Sequence, residues 1–209
     1  LILRAAQALR GNSLGAHIVA EKRIPAGGGL GGGSSDAATT LLALNHLWRL
    51  GLDSERLQAI GATLGADVPV FVAGHSAWAE GIGEILTPVD LPPVWYLVIK
   101  PDCVVATGEI FSHRELTRDS TPIKLAAFFE GASRNDCQRV ASNLHPEIDN
   151  ALKWLENFGE AKLTGTGACV FAAFDHQREA AAALAQLPSQ WQGFIARGVN
   201  ESPVVQALR

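Results

Sequence analysis

The sequence lacks several features that define common protein classes. Its 209 residues contain no methionine, a single tyrosine and only three cysteines, Cys103, Cys137 and Cys169. An odd number of thiols without metal-ligand spacing argues against a disulfide framework or a zinc-finger pattern and favours free thiols in a reducing compartment. The apolar runs are far too short to span a bilayer. The net charge is −4 with both signs interspersed, so the basic stripe typical of nucleic-acid binding is absent.

The missing methionine also bears on the beginning of the chain. Leu1 opens an amphipathic helical pattern that runs to Leu9, and a turn is predicted at residues 11–13. A bulky leucine is not what removal of an initiator methionine normally exposes. We therefore expect the sequence to be a piece of a longer protein, whose targeting signals cannot be judged. A bacterial cytoplasmic location is expected, and a plastid location stays open.

The sequence is rich in glycine at one place. Six of the seven residues 27–33 are glycines, and two serines and an aspartate follow them. Glycine permits positive φ angles and a close approach of the backbone to a ligand. When such a loop leads into a helix, several backbone N–H groups and the positive end of the helix dipole meet at one point. The stretch therefore predicts a phosphate-binding site.

The segments on both sides support that prediction. Residues 17–24 are rich in apolar and β-branched residues and end at Pro25, which predicts a strand. Apolar residues at helical spacing from Ala37 to Trp48 predict a helix, capped by one of the three polar residues before it and stopped by Gly51. A flexible linker is disfavoured, because linkers rarely lead straight into a capped apolar helix.

Two well-known phosphate loops fit poorly. A Walker A loop requires a lysine after its second glycine, where this sequence has Ser34. A Rossmann fingerprint is formally present, but the acidic residue at the expected spacing, Asp53, opens a helix rather than ending a strand. Residues 25–37 instead follow a third pattern, in which a proline and a run of glycines precede Ser-Ser-x-Ala at a helix start.

An acidic residue stands out downstream of a second predicted helix, which Asp53 or Ser54 caps and Gly65 ends. Asp67 lies between this helix stop and the apolar residues 68–72. It either caps a following helix or serves as a carboxylate that accepts or orients a hydroxyl proton, a role typically worth ~10²–10⁴ in rate. The neighbouring phosphate loop favours the second interpretation.

The rest of the chain predicts an α+β arrangement. Residues 77–80 and 84–86 form two short strands, and Pro88, Pro92 and Pro93 then mark a domain boundary. Strands are predicted at residues 94–99, within residues 163–174 and at residues 193–199. Helices are predicted at residues 107–111, 123–129, from Asn135, at 146–158 and at 177–187. Such an alternation is typical of helices packed on a sheet.

With these residues in hand, the chain resembles the GHMP kinases. The resemblance rests on residues 25–38, 64–71, 81–84 and 163–171. It implies a two-domain α+β GHMP kinase fold. Residues 1–90 would form an ATP-binding domain like ribosomal protein S5 domain 2, incomplete at its start, and residues 91–209 a ferredoxin-like C-terminal domain.

The resemblance also implies the site residues. Asp67 would be the catalytic carboxylate, and Thr107 and Phe111 would contact the substrate, Phe111 by stacking on a cytosine. Two alternatives stay open, a core position for Phe111 and a solvated charge for Lys22. ATP, with Mg²⁺ whose ligands are unassigned, would bind Lys22, Pro25, Ala26, Gly27, Gly28, Gly29, Leu30, Gly31, Gly32, Gly33, Ser34 and Ser35.

Within the family, the chain is most similar to kinases that phosphorylate the tertiary 2-hydroxyl of a cytidine diphosphate sugar-alcohol in the non-mevalonate isoprenoid pathway. A kinase for homoserine, a sugar or phosphomevalonate, and a nucleotide-binding module without catalysis, are the alternatives. The expected partners are ATP and the small substrate, with no nucleic acid or membrane; the oligomeric state is left open.

One family motif has no counterpart. A Pro-x-Lys-x-Asn segment, which carries a lysine partner for the catalytic aspartate and a second cytosine-facing aromatic residue, is absent from residues 1–209. We therefore expect a polypeptide of these residues alone to be inactive and prone to aggregation until the segment is restored.

Overall fold

The computed structural model describes residues 1–10 and 14–208. The turn predicted at residues 11–13 lies outside these described residues. In chain order the elements are α1 (Ile2–Leu9), α2 (Gly32–Leu47), α3 (Ser54–Leu64), α4 (Val68–Ala73), β1 (Ala77–Glu80), β2 (Ile85–Pro88), β3 (Trp95–Lys100), α5 (Thr107–Ser112), α6 (Leu125–Phe129), α7 (Asp136–Leu144), α8 (Pro146–Leu155), β4 (Lys162–Leu163), β5 (Val170–Phe174), α9 (Gln177–Leu184), β6 (Gln192–Arg197) and α10 (Pro203–Ala207).

Two compact units account for the chain. The first comprises Leu1–Ile24, Gly31–Pro92 and Val199–Arg209, and the second comprises Pro25–Leu30 and Pro93–Gly198. The main change from one unit to the other falls at the proline-rich segment where the sequence predicts a boundary. The assignment of residues 1–90 and 91–209 to two functional domains stays a prediction.

Helices dominate the first unit. Their buried residues form one apolar cluster, made of Ala5 and Leu9 of α1, Ala37, Ala38, Leu41 and Leu44 of α2, Leu57 of α3, and Val68 and Val72 of α4. Strands β1 and β2 pair antiparallel as a hairpin, as the sequence predicts. Helix α10, whose start is capped by the Ser202 side chain, was not among the predicted elements.

The strand predicted at residues 17–24 is wrong. This segment is exposed over its entire length and has no regular secondary structure. A β-strand is stabilised by hydrogen bonds to a neighbouring strand, and no described strand pairs with this segment. An apolar, β-branched sequence is therefore not sufficient to define a strand.

Helix caps were easier to predict. The Asp53 carboxylate accepts a 2.8 Å hydrogen bond from the Arg56 backbone N–H at the start of α3. The Asn135 side-chain oxygen accepts a 2.9 Å bond from the Cys137 N–H at the start of α7. Both bonds satisfy N–H groups that have no partner within their helix, which confirms the two predicted helix starts.

The second unit contains a four-stranded antiparallel sheet in the order β4-β5-β3-β6. Strand β3 lies in its interior, with Leu97 opposite both Ala172 of β5 and Ile195 of β6. From β3 to β6 the chain runs strand, helices, two strands, helix, strand, which is the split βαβ order of ferredoxin-like folds. The predicted ferredoxin-like C-terminal architecture is thus present.

One apolar core fills the second unit. It joins Leu97 and Ile99 of β3, Val170 and Ala172 of β5, and residues of α5, α7, α8 and α9. Among the described helices, none combines the length and the apolar character needed to cross a membrane.

Candidate active site

The glycine-rich stretch is an irregular loop built on alternating left-handed residues. Gly27, Gly29 and Gly31 have φ angles of +69°, +70° and +67°. Side chains larger than hydrogen are strained at such angles, so glycine is required at these three positions. The φ angles of Gly28 and Gly32 lie outside the left-handed region, so backbone strain does not explain why these two positions hold glycine.

Residues 164–169 of the second unit hold the first half of the loop. The backbone N–H groups of Ala168 and Cys169 donate to the carbonyls of Gly27 and Gly28 at 3.2 and 3.1 Å. The Thr164 hydroxyl also donates to the Gly28 carbonyl, at 2.5 Å. Three hydrogen bonds therefore fix the direction of the loop backbone by engaging its carbonyl groups.

Close packing explains the glycine at position 28 and adds to the need for one at position 29. A Cβ atom on Gly28 would lie 2.6 Å from the Cys169 sulfur, and one on Gly29 would overlap the backbone carbonyl of Thr164. Cys169 itself is buried, and this burial raises the pKa of its thiol to about 11. Cys169 thus packs in the core, as expected. Its thiol is not ionised at neutral pH, because the raised pKa lies well above that range.

The N–H groups of the loop remain available. Across the part of the chain that the structure describes, no protein group accepts a hydrogen bond from the backbone N–H groups of residues 27–33. Because the loop carbonyls are engaged and these donors are not, the loop can offer several N–H groups to an anion.

Helix α2 begins earlier than the sequence predicts. Its N-cap is Gly31 in a left-handed conformation, and the Ser35 N–H donates to the Gly31 carbonyl at 2.8 Å. The predicted caps Ser34, Ser35 and Asp36 instead lie within the helix. The glycine preference for positive φ thus outweighs the capping preference of the polar residues, and both hydroxyls are placed in the first turn.

Lys22 has a defined partner in the first unit. Its ammonium group forms an ion pair with the Asp36 carboxylate on the second turn of α2. The strand part of the alternative is wrong, because the segment has no regular secondary structure, whereas the ammonium group is paired and still exposed to solvent. The pair also neutralises a carboxylate close to the helix start, where an anion would otherwise be repelled.

Asp67 precedes α4, but its side chain makes no capping hydrogen bond. Because this bond is missing, the capping interpretation is wrong. The Asp67 side chain is instead exposed to solvent. The β1–β2 hairpin packs beside it, because a Cβ on Gly83 would lie only 2.8 Å from the Ala66 carbonyl. The hairpin turn is itself closed by the Glu84 carboxylate, which accepts a 2.7 Å bond from the Ile82 N–H.

The two predicted substrate residues lie on α5 in the second unit. Thr107 is exposed at the first position of the helix, and its hydroxyl lies 3.1 Å from the hydroxyl of Thr166. Phe111 is 56% exposed, so the alternative of a core position is wrong. Its carbonyl accepts a 2.7 Å bond from Arg118, which fixes the backbone beneath the ring.

Sequence reasoning missed the structural role of Thr164. The segment Thr164-Gly165-Thr166-Gly167 was visible as a glycine turn, but its distance along the chain from the glycine loop hides the hydrogen bond to Gly28.

The predicted site residues are divided between the two units. The first unit contains Lys22, residues 31–35 and Asp67, and the second contains Pro25–Leu30, Thr107 and Phe111.

Two protein-family models match the chain. The model for the GHMP kinases N-terminal domain matches residues 1–75, and that for the GHMP kinases C-terminal domain matches residues 115–193. Together they cover well over half of the sequence.

Curated relatives agree with this assignment. A Pseudomonas savastanoi pv. phaseolicola protein named 4-diphosphocytidyl-2-C-methyl-D-erythritol kinase is 58% identical over the whole chain, which spans 74% of that protein. A Pseudomonas aeruginosa protein of the same name is 56% identical, again over the whole chain, which spans 75% of it.

Solved structures show the same fold. A crystal structure of 4-(cytidine 5'-diphospho)-2C-methyl-D-erythritol kinase superposes with a TM-score of 0.71 at 34% identity, covering 85% of this chain and 68% of that one. A putative homoserine kinase from Listeria monocytogenes superposes with a TM-score of 0.61 at 20% identity, covering 96% of this chain and 77% of that one. At that identity the second match concerns the fold alone. The sequence, the two-domain α+β architecture and these matches establish that the chain belongs to the GHMP kinase family.

Proposed function

We propose that this protein transfers the γ-phosphoryl group of ATP to the 2-hydroxyl of 4-diphosphocytidyl-2-C-methyl-D-erythritol, in non-mevalonate isoprenoid precursor biosynthesis. Its relatives of that name, 56–58% identical over the whole chain, support the choice of substrate. The conformation of the glycine loop is the observation that supports phosphoryl transfer as the reaction. Its carbonyl groups are tied down while its N–H groups are available, which is the arrangement that a phosphate chain needs.

The ATP phosphates would lie along this loop and the first turn of α2. The backbone donors come from residues 27–33, and the α2 dipole adds roughly half a positive charge at the same point. Lys22 would lie near the nucleotide while balancing Asp36. The full set proposed to contact ATP is Lys22, Pro25, Ala26, Gly27, Gly28, Gly29, Leu30, Gly31, Gly32, Gly33, Ser34 and Ser35.

Magnesium would accompany ATP. This ion prefers oxygen ligands, and the Ser34 and Ser35 hydroxyls in the first turn of α2 are ligands of that kind. These groups fit a magnesium ion bound together with the phosphates. The bound ion would neutralise the charge that develops on the transferring group.

Asp67 is the proposed catalytic residue. In the transfer, the substrate hydroxyl oxygen forms a bond to the γ-phosphorus, the bond to the bridging β–γ oxygen breaks, and ADP leaves with that oxygen. The hydroxyl proton goes to the Asp67 carboxylate, which is exposed and makes no capping bond. A carboxylate in this position also orients the attacking oxygen, and positioning dominates catalysis of phosphoryl transfer.

Thr107 and Phe111 are proposed to bind the substrate. The exposed ring of Phe111 offers a flat face on which a cytosine can stack, an interaction worth ~1–3 kcal/mol per base. The Thr107 hydroxyl, held near Thr166, offers a hydrogen bond to a polar group of the same ligand. The cytidine moiety would thus be recognised by stacking and the polar remainder by hydrogen bonds.

A substrate panel tests the proposal. The protein as its gene encodes it is incubated with ATP, Mg²⁺ and one acceptor at a time: the cytidyl substrate, homoserine, a sugar and phosphomevalonate. We expect phosphorylation of the cytidyl substrate and negligible turnover of the others. Phosphorylation of homoserine without turnover of the cytidyl compound would refute the proposed substrate and leave the kinase assignment intact.

Nucleotide titration separates catalysis from simple binding. We expect ATP to bind with phosphoryl transfer following. ATP binding without turnover of any acceptor would instead indicate a nucleotide-binding module. Because the reaction consumes ATP and the cysteines are free, we propose a cytoplasmic location.

A further inference from the structure

Three side chains of different metal-binding chemistry converge in the second unit. One ligand atom from each of Cys103, His145 and Glu147 lies within 4.8 Å of the other two. The group combines a thiol, an imidazole and a carboxylate, and none of the three belongs to the proposed kinase site. The sequence does not reveal it, because His145 lies 42 positions after Cys103 in the chain.

Buried neighbours fix the two segments that carry these side chains. Cys103 is followed closely by buried Val105, and Glu147 is followed by buried Ile148 at the start of α8. Both apolar side chains pack around Gly167, where an added Cβ would lie 3.4 Å from Val105 and 3.3 Å from Ile148. The convergence therefore rests on core packing rather than on two freely moving loops.

His145 supplies an independent observation. Its Nε2 atom is fully buried and has no hydrogen-bond partner among the described residues. Its side chain does not cap α8 either, although it occupies the N-cap position. A buried polar atom without a partner is costly and is rare in native proteins. A bound cation would give the imidazole the partner that the protein does not provide.

We propose that Cys103, His145 and Glu147 bind one zinc-class divalent cation, with a fourth position open to water. Sulfur, nitrogen and oxygen ligands suit Zn²⁺, whereas Mg²⁺ and Ca²⁺ select oxygen ligands alone. Ligands at zinc-binding distances lie about 3.5 Å apart, so the three side chains need to close only slightly from their present spacing. The exposed Glu147 carboxylate has room to make that movement.

The charges match a dication. On binding, the thiol loses its proton, and the thiolate and carboxylate together balance two positive charges. An ordinary thiol is protonated at neutral pH, so binding should release about one proton per ion.

Metal titration of the untagged, chelator-treated chain tests the proposal. Zn²⁺ affinity is measured by competition with a chromophoric chelator, and Co²⁺ is added separately to detect a thiolate-to-cobalt charge-transfer band. We expect one ion per chain and a clear band. Cys103→Ser should abolish the band, and Cys103→Ser, His145→Asn and Glu147→Gln should each weaken Zn²⁺ binding by at least about tenfold.

Cys137→Ser is the matched control. Cys137 is also partly buried, with a thiol pKa raised by burial, but it lies on α7 outside the group. This variant should keep wild-type affinity and the band. Absence of stoichiometric binding, or equal affinity in wild type and Cys103→Ser, would overturn the proposal. Circular dichroism of the metal-free variants verifies folding, and the exposed Glu147→Gln variant decides the matter if a more buried variant unfolds.

Discussion

The Thr164 hydroxyl donates a 2.5 Å hydrogen bond to the Gly28 carbonyl, although 136 positions separate the two residues in the chain. Thr164 also closes its own turn, with its N–H donating to the Cys169 carbonyl at 2.9 Å. One side chain therefore links the glycine loop to the strand pair of the ferredoxin-like unit. We expect the orientation of the loop N–H groups to depend in part on this link.

We predict that Thr164→Val weakens ATP binding about fivefold, since a typical hydrogen bond contributes about 1 kcal/mol. Valine has the same shape but cannot donate to Gly28. Isothermal titration with ATP and Mg²⁺ measures the change. Thr63→Val, which removes an exposed hydroxyl bonded to the Ile60 carbonyl in α3, should leave the affinity unchanged. An unaltered affinity in Thr164→Val would mean that the link does not shape the loop.

We predict that Gly29→Ala lowers both stability and ATP affinity, because it adds a clash to an unfavourable φ. Gly29 has φ +70° and faces the Thr164 carbonyl, whereas Gly51 has φ +67° with open space around it. Gly51→Ala therefore measures the backbone strain alone, about 1 kcal/mol. Chemical denaturation should show a larger loss for Gly29→Ala. Equal losses in the two variants would show that the loop is not packed as described.

We predict that Arg49→Gly raises the free energy of unfolding by roughly 0.5–1 kcal/mol. Arg49 follows α2 with φ +53°, as the only described residue other than glycine with a positive φ. The Leu50 N–H donates to the Asn45 carbonyl in the helix-terminating pattern that favours glycine at this position. Urea denaturation tests the gain. Arg56→Gly, inside α3, should destabilise by a similar amount, and the same sign in both variants would contradict the argument.

We predict a pH dependence of stability that comes from Cys169. Burial raises its thiol pKa from the ordinary 9.0 to about 11 in the folded state. The folded state therefore holds the proton where the unfolded state has lost it. The contribution is fully present below about pH 9 and is lost as the pH rises through about 11. Urea midpoints across this range should fall less steeply in Cys169→Ala than in wild type, and parallel profiles would contradict the prediction.

Local chemistry predicted much of the fold. The caps Asp53 and Asn135, the β1–β2 hairpin and the alternation of the second unit follow from side-chain preferences within a few residues. The strand prediction for residues 17–24 failed because a strand needs a partner, and β-branched residues do not supply one. The predicted start of α2 was too late because the left-handed Gly31 takes the N-cap position in place of three residues with good capping preference.

Part of the candidate site carries a local sequence signal. The glycine loop and Asp67 are marked by a run of glycines and by an acidic residue after a helix stop, whereas Phe111 was expected only from the family resemblance. The bond from Thr164 to Gly28 and the group around His145 depend on how distant segments pack. No periodicity or spacing encodes such contacts, so they require the folded structure.

The most direct test of the account is phosphoryl transfer by Asp67→Asn, in the protein as its gene encodes it. Asparagine keeps the shape of the side chain but neither accepts the proton nor carries the charge. With ATP, Mg²⁺ and the cytidyl substrate, the account predicts a loss of turnover of at least about 10²-fold with unchanged ATP affinity. Asp53→Asn, which keeps its capping oxygen in α3, should retain wild-type turnover. A loss of only two- or three-fold in Asp67→Asn would be as small as the effect of removing an exposed ion pair. That result would contradict the account and make Asp67 a structural residue.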